Sequence, residues 1–577
     1  MITLSINNEQ VQAKEGETVF EAAKKANISI PHLCALEGLE NYGGCGLCVV
    51  EVEGDRNPVR SCVREVTQGM KVFTNTPKIR EIRRTVVELL LTNHPQDCFT
   101  CIRNQNCNLL DAASELGIRA EQLNRVVKKK ELDKSSVSIV RDPNKCILCS
   151  RCIRVCNDVQ TVGAIDFANR GFNLDVNSFG KRSLAKSECI NCGQCIHVCP
   201  VGAIYERSNI NDVWAAIDNP AKHVVVQEAP AVRVALGEEF GFAPGTLVAG
   251  KMHAALKKLG FDTIFDTNFS ADLTIMEEGT ELVERVKNGG VLPMFTSCCP
   301  GWIKFCEEFY PELLPNLSSC KSPQQMFGAL SKTYFPKVAK LNPEQIVSVS
   351  IMPCTAKKYE AQRPEMKSSG YQDVDYVLTT RELAAMIREA GIDMASLPDM
   401  PAEQLMGAYS GAATIFGATG GVMEAALRTA YKLITGKELE NLDITPVRGM
   451  EGIKTAKVKV GDLEVNVAVA HGLGNARKLC EEVKAGKSPY HFIEIMACPG
   501  GCVGGGGQPL SFDIVRRNIR GTGLYSEDRA LPMRRSHENP SVKKIYADFL
   551  VKPLGEQSHH LLHTKYTPRD AEIASNT

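Results

Sequence analysis

The chain holds 23 cysteines in 577 residues, and their spacing constrains it more than any other feature. The run C-x2-C-x2-C-x3-C occurs twice, as Cys146, Cys149, Cys152, Cys156 and as Cys189, Cys192, Cys195, Cys199. A disulfide framework has no need of two-residue gaps, whereas thiolate ligation of an iron–sulfur cluster does. In the bacterial form of this run, the fourth cysteine of each half ligates the other cluster. Cys146, Cys149, Cys152 and Cys199 are therefore expected on one cubane, and Cys189, Cys192, Cys195 and Cys156 on the other. Pro200 follows the second run as in the bacterial pattern, and Asn157 follows the first.

Two further blocks precede the repeat. Cys34, Cys45, Cys48 and Cys62 pair a close C-x2-C, set in GGCGLC, with two outlying cysteines. That arrangement suits a two-iron cluster in a loop-rich β domain, with a structural zinc site as the rival reading. Cys98, Cys101 and Cys107 lack a fourth thiolate, and His94 stands just before them. Either His94 completes the ligand set, which would raise the cluster potential, or it is a histidine stabilising a helix C-terminus.

Lys+Arg and Asp+Glu both number 67, so the formal charge is zero. No basic excess points to nucleic acid or an anionic membrane surface. No apolar run reaches membrane-spanning length, and MITLSINNEQ has neither a basic n-region nor an apolar h-region, so a cytoplasmic protein is expected. Residues 1–78 read as β-rich, with ITLSIN and VQAKEG flanking an Asn-Asn-Glu turn and a short helix in TVFEAAKKANI. Residues 79–135 read as helical in REIRRTVVELLLTN and again in EQLNRVVKKKELDK; Lys128, Lys129 and Lys130 suit a solvated face or linker. Residues 136–209 hold the repeat. Residues 210–577 alternate strands (HVVVQ, VLPMFTS, IVSVSIMP, VNVAVA, HFIEIMA) with helices (RELAAMIREA, GVMEAALRTAYKLI), which predicts α/β layers with parallel strands.

The remaining chemistry sits at ends of predicted strands: Cys298 and Cys299 in TSCCPGW, Cys354 in MPCTAKKYE, Cys498 and Cys502 in MACPGGC. Three separate loops supply them, as for a site at the carboxyl ends of parallel strands. No C-x2-C pair occurs among them, which argues against zinc. GGGGQP at 504–509 lacks the Lys-Ser/Thr of a phosphate loop.

TSCCPGW, MPCTAKKYE and IEIMACPGGCVGGGGQP resemble the three signature stretches of the [FeFe]-hydrogenases. The preceding blocks are similar to the accessory clusters of the longer clostridial-type members, and to the catalytic subunits of NAD(P)-linked electron-bifurcating ones. The likeness runs to SHENPSVKKIYADFL and HHLLHTKY. It implies a multidomain α+β protein with four parts. These are a β-grasp [2Fe-2S] domain (1–78), a small helical His/Cys3 [4Fe-4S] domain (79–135), a bacterial two-[4Fe-4S] ferredoxin-like domain (136–209), and a two-lobed α/β H-cluster domain (210–577) with a C-terminal small-subunit-like segment. The implied cofactors are one [2Fe-2S] cluster, three accessory [4Fe-4S] clusters, and an H-cluster, a cubane joined to a two-iron subsite with carbonyl, cyanide and dithiolate-amine ligands. No flavin is expected in this chain.

On matching positions, the resemblance makes Cys299, Cys354, Cys498 and Cys502 the cubane ligands, with Cys502 the bridge. Cys298 becomes the thiol that passes protons to the bridgehead amine; on residues alone it could be a small buried hydrophobe. Lys357 would donate to a cyanide, its bland alternative being a surface lysine. Met496, Phe416, Pro230, Pro323 and Gln324 would surround the subsite, although Met496 and Phe416 equally suit a core. Glu278, Ser318, Glu281 and Arg285 match a proton relay to Cys298; on spacing alone, these acids could be caps or dipole partners. Cys306, Cys320 and Cys480 receive no role.

The implied reaction is H2 ⇌ 2H⁺ + 2e⁻, cleaved heterolytically at an open iron with the amine as base, and with electrons passing through the clusters to ferredoxin, to an NAD(P)-linked flavoprotein partner subunit, or to both. Rival functions are an electron-wiring subunit of a respiratory NADH dehydrogenase-like complex, a non-catalytic iron–sulfur assembly factor, and a hydrogen sensor. The signature loops oppose the first, retention of Cys298, Lys357 and Met496 opposes the second, and the shuttle thiol with no added signalling domain opposes the third. No Gly-rich dinucleotide motif is present, so nicotinamide chemistry belongs on another subunit of a larger complex.

Overall fold

A computed structural model describes residues 1–119, 129–461 and 463–569. Most of the second predicted helix of residues 79–135, in EQLNRVVKKKELDK, lies outside them. The chain forms two compact units. The first comprises Met1–Val159, Gly163–Ser187 and Cys195–Tyr205; the second comprises Gln160–Val162, Glu188–Gln194 and Glu206–Thr577.

The first unit opens with the predicted hairpin. Ile2–Ile6 pairs antiparallel with Glu9–Ala13, and the turn residues Asn7 and Asn8 both take positive φ, as a hairpin matching the strand twist requires. Ile2–Ile6 also runs parallel to Lys71–Phe73, which continues the sheet into Val49–Val52 and Val59–Arg60. Alternate residues Leu4, Ile6, Val11 and Ala13 are buried together with Val19, Ala22 and Ala23 of the helix Val19–Lys25. Thr18 and Glu21 close a capping box at that helix start. The helix Pro77–Thr92 begins with Thr76 as cap and Pro77 at its first position. Its buried Arg83 donates to Leu47 O and Val49 O, at 3.2 and 2.8 Å, and so holds the loop carrying Cys45 and Cys48.

The second unit contains two four-stranded sheets. One is fully parallel, in the order Thr263–Asp266, His223–Glu228, Ile346–Met352, Tyr376–Thr379. These strands are buried almost throughout, the continuous apolar pattern of a sheet covered on both faces. The other has the order Met294–Phe295, Phe492–Met496, Leu463–His471, Ile453–Val460. Its first three strands are parallel, but Ile453–Val460 runs antiparallel to Leu463–His471. The expectation of parallel strands thus fails at this edge. A hairpin with Gly461 at φ 64° closes it, and the outer strand alternates buried and exposed positions. The helix Thr267–Asn288 packs on the helices Pro323–Lys332 and Gly421–Thr435 and is buried over most of its length.

Segments of the repeat fold with the second unit because polar contacts hold them there. Gln160 Oε1 accepts from Leu473 N at 3.1 Å, Arg477 donates to Thr161 O at 2.8 Å, and Thr355 Oγ1 donates to Asn191 O at 2.7 Å. Among the described residues, no helix is long and apolar enough to cross a membrane.

Candidate active site

Three of the parallel strands end in the cysteine loops: Met294–Phe295 leads to Cys298 and Cys299, Ile346–Met352 to Cys354, and Phe492–Met496 to Cys498. These loops and Cys502 converge on one cavity, with about 730 Å³ of space between the atoms. Pro230, Pro323, Gln324, Lys357, Phe416 and Met496 line it too, so every predicted pocket residue is present. Met496 and Phe416 also belong to a hydrophobic core cluster.

Two glycines let the last loop close around the site. Gly501 has φ 88°, and a Cβ there would stand 2.7 Å from Thr419 N. A Cβ on Gly506 would stand 2.7 Å from Gly193 Cα, so this loop meets the backbone beside Cys192.

Cys354 and Cys498 are buried and Cys298, Cys299 and Cys502 half-buried; desolvation pushes all five thiols up, Cys354 to about 12, and neighbouring sulfurs add to the effect on all but Cys299. None is in a disulfide. Soft sulfur donors gathered in an apolar cavity fit a thiolate-ligated metal cluster.

Lys357 is buried, not on the surface. Burial alone would lower its pKa, but Glu360, with its carboxylate 2.9 Å from Nζ, more than reverses this and raises it. Nζ also donates to Cys298 O at 3.1 Å. Glu360 accepts from Gln324 Nε2 at 3.0 Å and Ser322 Oγ at 2.9 Å, so one carboxylate sets both cavity residues.

Glu278, Glu281 and Arg285 lie within the helix Thr267–Asn288, so neither acid is a cap. Burial raises the Glu278 carboxyl to about 8, the Glu281 charge adds to the shift, and the Ser318 hydroxyl and Ser297 backbone oppose it. Ser318 Oγ donates to Glu281 Oε2 at 2.9 Å, and Arg285 Nη2 donates to Glu281 Oε1 at 2.7 Å. The outer part of the expected relay is therefore joined by hydrogen bonds, and Glu278, beside Ser318, acts electrostatically on Cys298.

Iron hydrogenase families account for most of the second unit. The C-terminal domain of the iron only hydrogenase large chain matches residues 222–506, and the iron hydrogenase small chain matches 514–569. A 2Fe-2S iron-sulfur cluster binding domain matches 1–77, the NADH-ubiquinone oxidoreductase-G iron-sulfur binding region 83–122, and a 4Fe-4S dicluster domain 128–203. The chain is 50% identical to the NADP-reducing hydrogenase subunit HndD of Solidesulfovibrio fructosivorans, covering 99% of each chain. It belongs to the [FeFe]-hydrogenase family. Iron hydrogenase 1 of Clostridium pasteurianum is 44% identical over 98% of this chain and 100% of its own length. The apo [FeFe]-hydrogenase of Chlamydomonas reinhardtii superposes with a TM-score of 0.57 at 44% identity, covering 63% of this chain and 99% of its own. The protein is a hydrogenase catalytic subunit whose added iron–sulfur domains form an electron relay.

Most of the accessory cysteine blocks lie in the first unit. Cys34, Cys45, Cys48 and Cys62 are mutually close, with Cys48 Sγ and Cys62 Sγ 3.4 Å apart. Cys146, Cys149, Cys152 and Cys199 line a single cavity, the grouping the repeat predicts, with Cys199 in place of Cys156. His94 is buried just past the helix Pro77–Thr92, and Cys98 and Cys101 act electrostatically on the half-buried Cys107. Cys156 and Cys195 belong to the first unit, Cys189 and Cys192 to the second.

Sequence reasoning missed two residues. Glu360 was visible only as an acid three positions after Lys357 on one helical face. Arg517, on the helix Ile514–Ala530, is 3% exposed, and its Nε and Nη2 lack hydrogen-bond partners. Burial lowers it to about 10, opposed first by the Cys498 charge. Its stem lies 3.5 Å from where a Cβ on Gly500 would be. Nothing in the sequence marks it among the arginines of RRNIR.

Proposed function

We propose that the chain interconverts H2 with protons and electrons at an H-cluster whose cubane is held by Cys299, Cys354, Cys498 and Cys502, with Cys502 bridging to the two-iron subsite. Convergence of these four sulfurs and Cys298 on one apolar cavity carries this reading. When bound, the group supplies the open iron and the basic amine at which hydrogen is split or formed.

The chain supplies position, charge and protons. Lys357 offers the cavity a buried ammonium fixed by Glu360, and Gln324 an amide fixed by the same carboxylate. Pro230, Pro323, Phe416 and Met496 keep water out. Cys298 carries a proton between the cavity and Glu278. A carboxyl raised to about 8 both gives and takes protons near neutrality, which suits it to this duty. Glu281, Ser318 and Arg285 continue the route outward. The accessory cysteine blocks would hold one [2Fe-2S] and three [4Fe-4S] clusters, with His94 joining Cys98, Cys101 and Cys107 on one of them, and these would supply the path for electrons. The likeness to an NADP-reducing hydrogenase supports work within a larger complex, where partner subunits hold flavin and NAD(P) and ferredoxin is a further acceptor.

Cys298→Ser tests the assignment of the adjacent pair. It should keep the iron content and carbonyl infrared bands, while hydrogen evolution falls by about a hundredfold or more, within the range of a positioned acid–base group. Loss of the bands would make Cys298 a ligand, and a parental rate would send the proton elsewhere.

A further inference from the structure

The cluster blocks and signature loops leave Cys320 without a duty, although it is wholly buried. The fold sets it beside two other metal-ligating groups. Cys320 and His563 face each other across an antiparallel bridge, in which Lys321 N donates to Leu562 O and Thr564 N to Ser319 O, both at 2.8 Å. Those bonds flank the pair, so its two side chains stand close together on one face. Cys320 Sγ lies 4.0 Å from His563 Nδ1 and 3.9 Å from Glu281 Oε2. The ligand atoms of all three residues fall within 4.8 Å of one another.

Two of the three groups are already turned as ligands. His563 Nε2 lies 3.2 Å from Glu277 Oε2, and the same carboxylate accepts from Tyr546 OH at 2.5 Å and from Leu554 N at 2.8 Å. A carboxylate there puts the imidazole proton on Nε2 and leaves the Nδ1 lone pair on the side of Cys320. Such a carboxylate–histidine pair is what orients histidine on a metal. Glu281 is held likewise: Arg285 Nη2 donates to Oε1 at 2.7 Å, which leaves Oε2 towards the sulfur. Thiolate, imidazole and carboxylate, completed by a water, form a donor set for zinc. In a tetrahedral zinc site such atoms stand about 3.5 Å apart, so this set must draw in by about half an ångström at the sulfur. Ser319 Oγ, 2.8 Å from Nδ1 and 3.3 Å from Oε2, must swing aside. Burial and the charges of Glu281, Glu278 and Glu277 hold Cys320 as a thiol, and a dication offsets those charges.

We propose that Glu281, Cys320 and His563 form a site for one Zn²⁺ ion, and that its occupancy closes the proton relay. The site stands on the geometry above; the closure rests on the reading of Glu281 as a relay carboxylate. The ion enters at the edge where the Glu281 and Arg285 side chains are 12% and 16% exposed. Binding displaces one proton, from the Cys320 thiol to solvent, and no electron moves. Glu281 Oε2 is also the oxygen to which Ser318 Oγ donates at 2.9 Å. Bound to zinc, that oxygen no longer takes up a proton, so Ser318 loses its outward partner while the cysteine cavity is untouched. Glu277 is the positioning residue, acting through His563.

The test uses the matured full chain, freed of loose metal by a chelator, with zinc sulfate as the probe. Dialysis should leave one tightly bound zinc per chain, and zinc-edge X-ray absorption should show one sulfur among nitrogen and oxygen neighbours. With excess reductant, hydrogen evolution should fall as zinc binds and return when a chelator removes it, with iron content and carbonyl infrared bands unchanged. Cys320→Ala and His563→Gln should evolve hydrogen at the parental rate without zinc and need at least about tenfold more zinc for the same inhibition. Glu277→Gln should also weaken binding by about tenfold or more, the usual cost of losing such a carboxylate. If the parent and these variants bind zinc alike, or the bound ion has no sulfur neighbour, the ion sits elsewhere and the proposal is overturned. Zinc held by these ligands with hydrogen evolution at the parental rate overturns the closure. Glu281→Gln, run without zinc, separates the two readings: a stalled variant leaves the relay standing, and a parental one takes the relay reading down.

Discussion

Arg517 shows how a single charge can be both hidden in the sequence and decisive in the fold. A buried guanidinium without hydrogen-bond partners is costly unless it faces an anion. The guanidinium lies over the Phe512 ring at 4.7 Å and feels the Asp513 charge, but the charge acting on it most is that of Cys498, so Arg517 should hold up the potential of the cubane that Cys498 would join. At an effective dielectric of about 20, one charge within several ångströms is worth on the order of 2 kcal/mol. Arg517→Met should therefore lower the cubane midpoint by tens of millivolts in protein lacking the two-iron subsite, and Arg517→Lys should retain most of it. Redox titration followed by electron paramagnetic resonance decides this, and an unchanged midpoint in Arg517→Met contradicts it. The cysteines were legible because ligation imposes spacing along the chain. Arg517 and Glu360 were not: Arg517 meets Cys498 only in the fold, and Glu360 is bound by Gln324 and Ser322 from another helix start.

At the scale of elements, the parallel strands deliver the site by ending together, and a buried ion network fixes where two of them end. Arg233, wholly buried, donates to Glu228 at 2.6 Å and Asp266 at 2.8 Å, the last residues of neighbouring strands, and to Glu527 at 3.0 Å on the helix Ile514–Ala530. Asp266 also caps the helix that carries Glu278 and Glu281. Removing the arginine leaves buried carboxylates unpaired, a loss of about 3–5 kcal/mol. Arg233→Met should accordingly lower the thermal unfolding temperature by several degrees or more, measured on the cluster-loaded protein; a change within about one degree would mean the network is dispensable. The strands and helices themselves were legible from apolar runs and capping residues. The antiparallel direction of Ile453–Val460 was not, since an edge strand and a buried one share the same residue types. Met294–Phe295 makes only a short pairing, and its importance lies in the loop it introduces.

Across the molecule, guanidinium groups also tie the cluster loops of the first unit. Arg151 donates to Ala35 O at 2.8 Å and Arg154 to Cys34 O at 2.5 Å, joining the two-iron loop to the helix that carries Cys152. Arg103 donates to Ile196 O and Cys199 O at 2.8 and 2.9 Å, and a Cβ on Gly202 would stand 2.7 Å from Cys101 Sγ. The two N-terminal blocks thus both abut the ferredoxin-like segment. The plan of the relay was visible in the cysteine blocks; its joints were not. The central claim is that this chain is a catalyst and not a scaffold for clusters. Purified protein made without maturation machinery should hold iron–sulfur clusters but show no carbonyl or cyanide infrared bands and evolve no hydrogen. Supplying the two-iron subsite to that same protein should produce both the bands and hydrogen evolution. Intact clusters with neither bands nor hydrogen after the subsite is supplied would contradict the account.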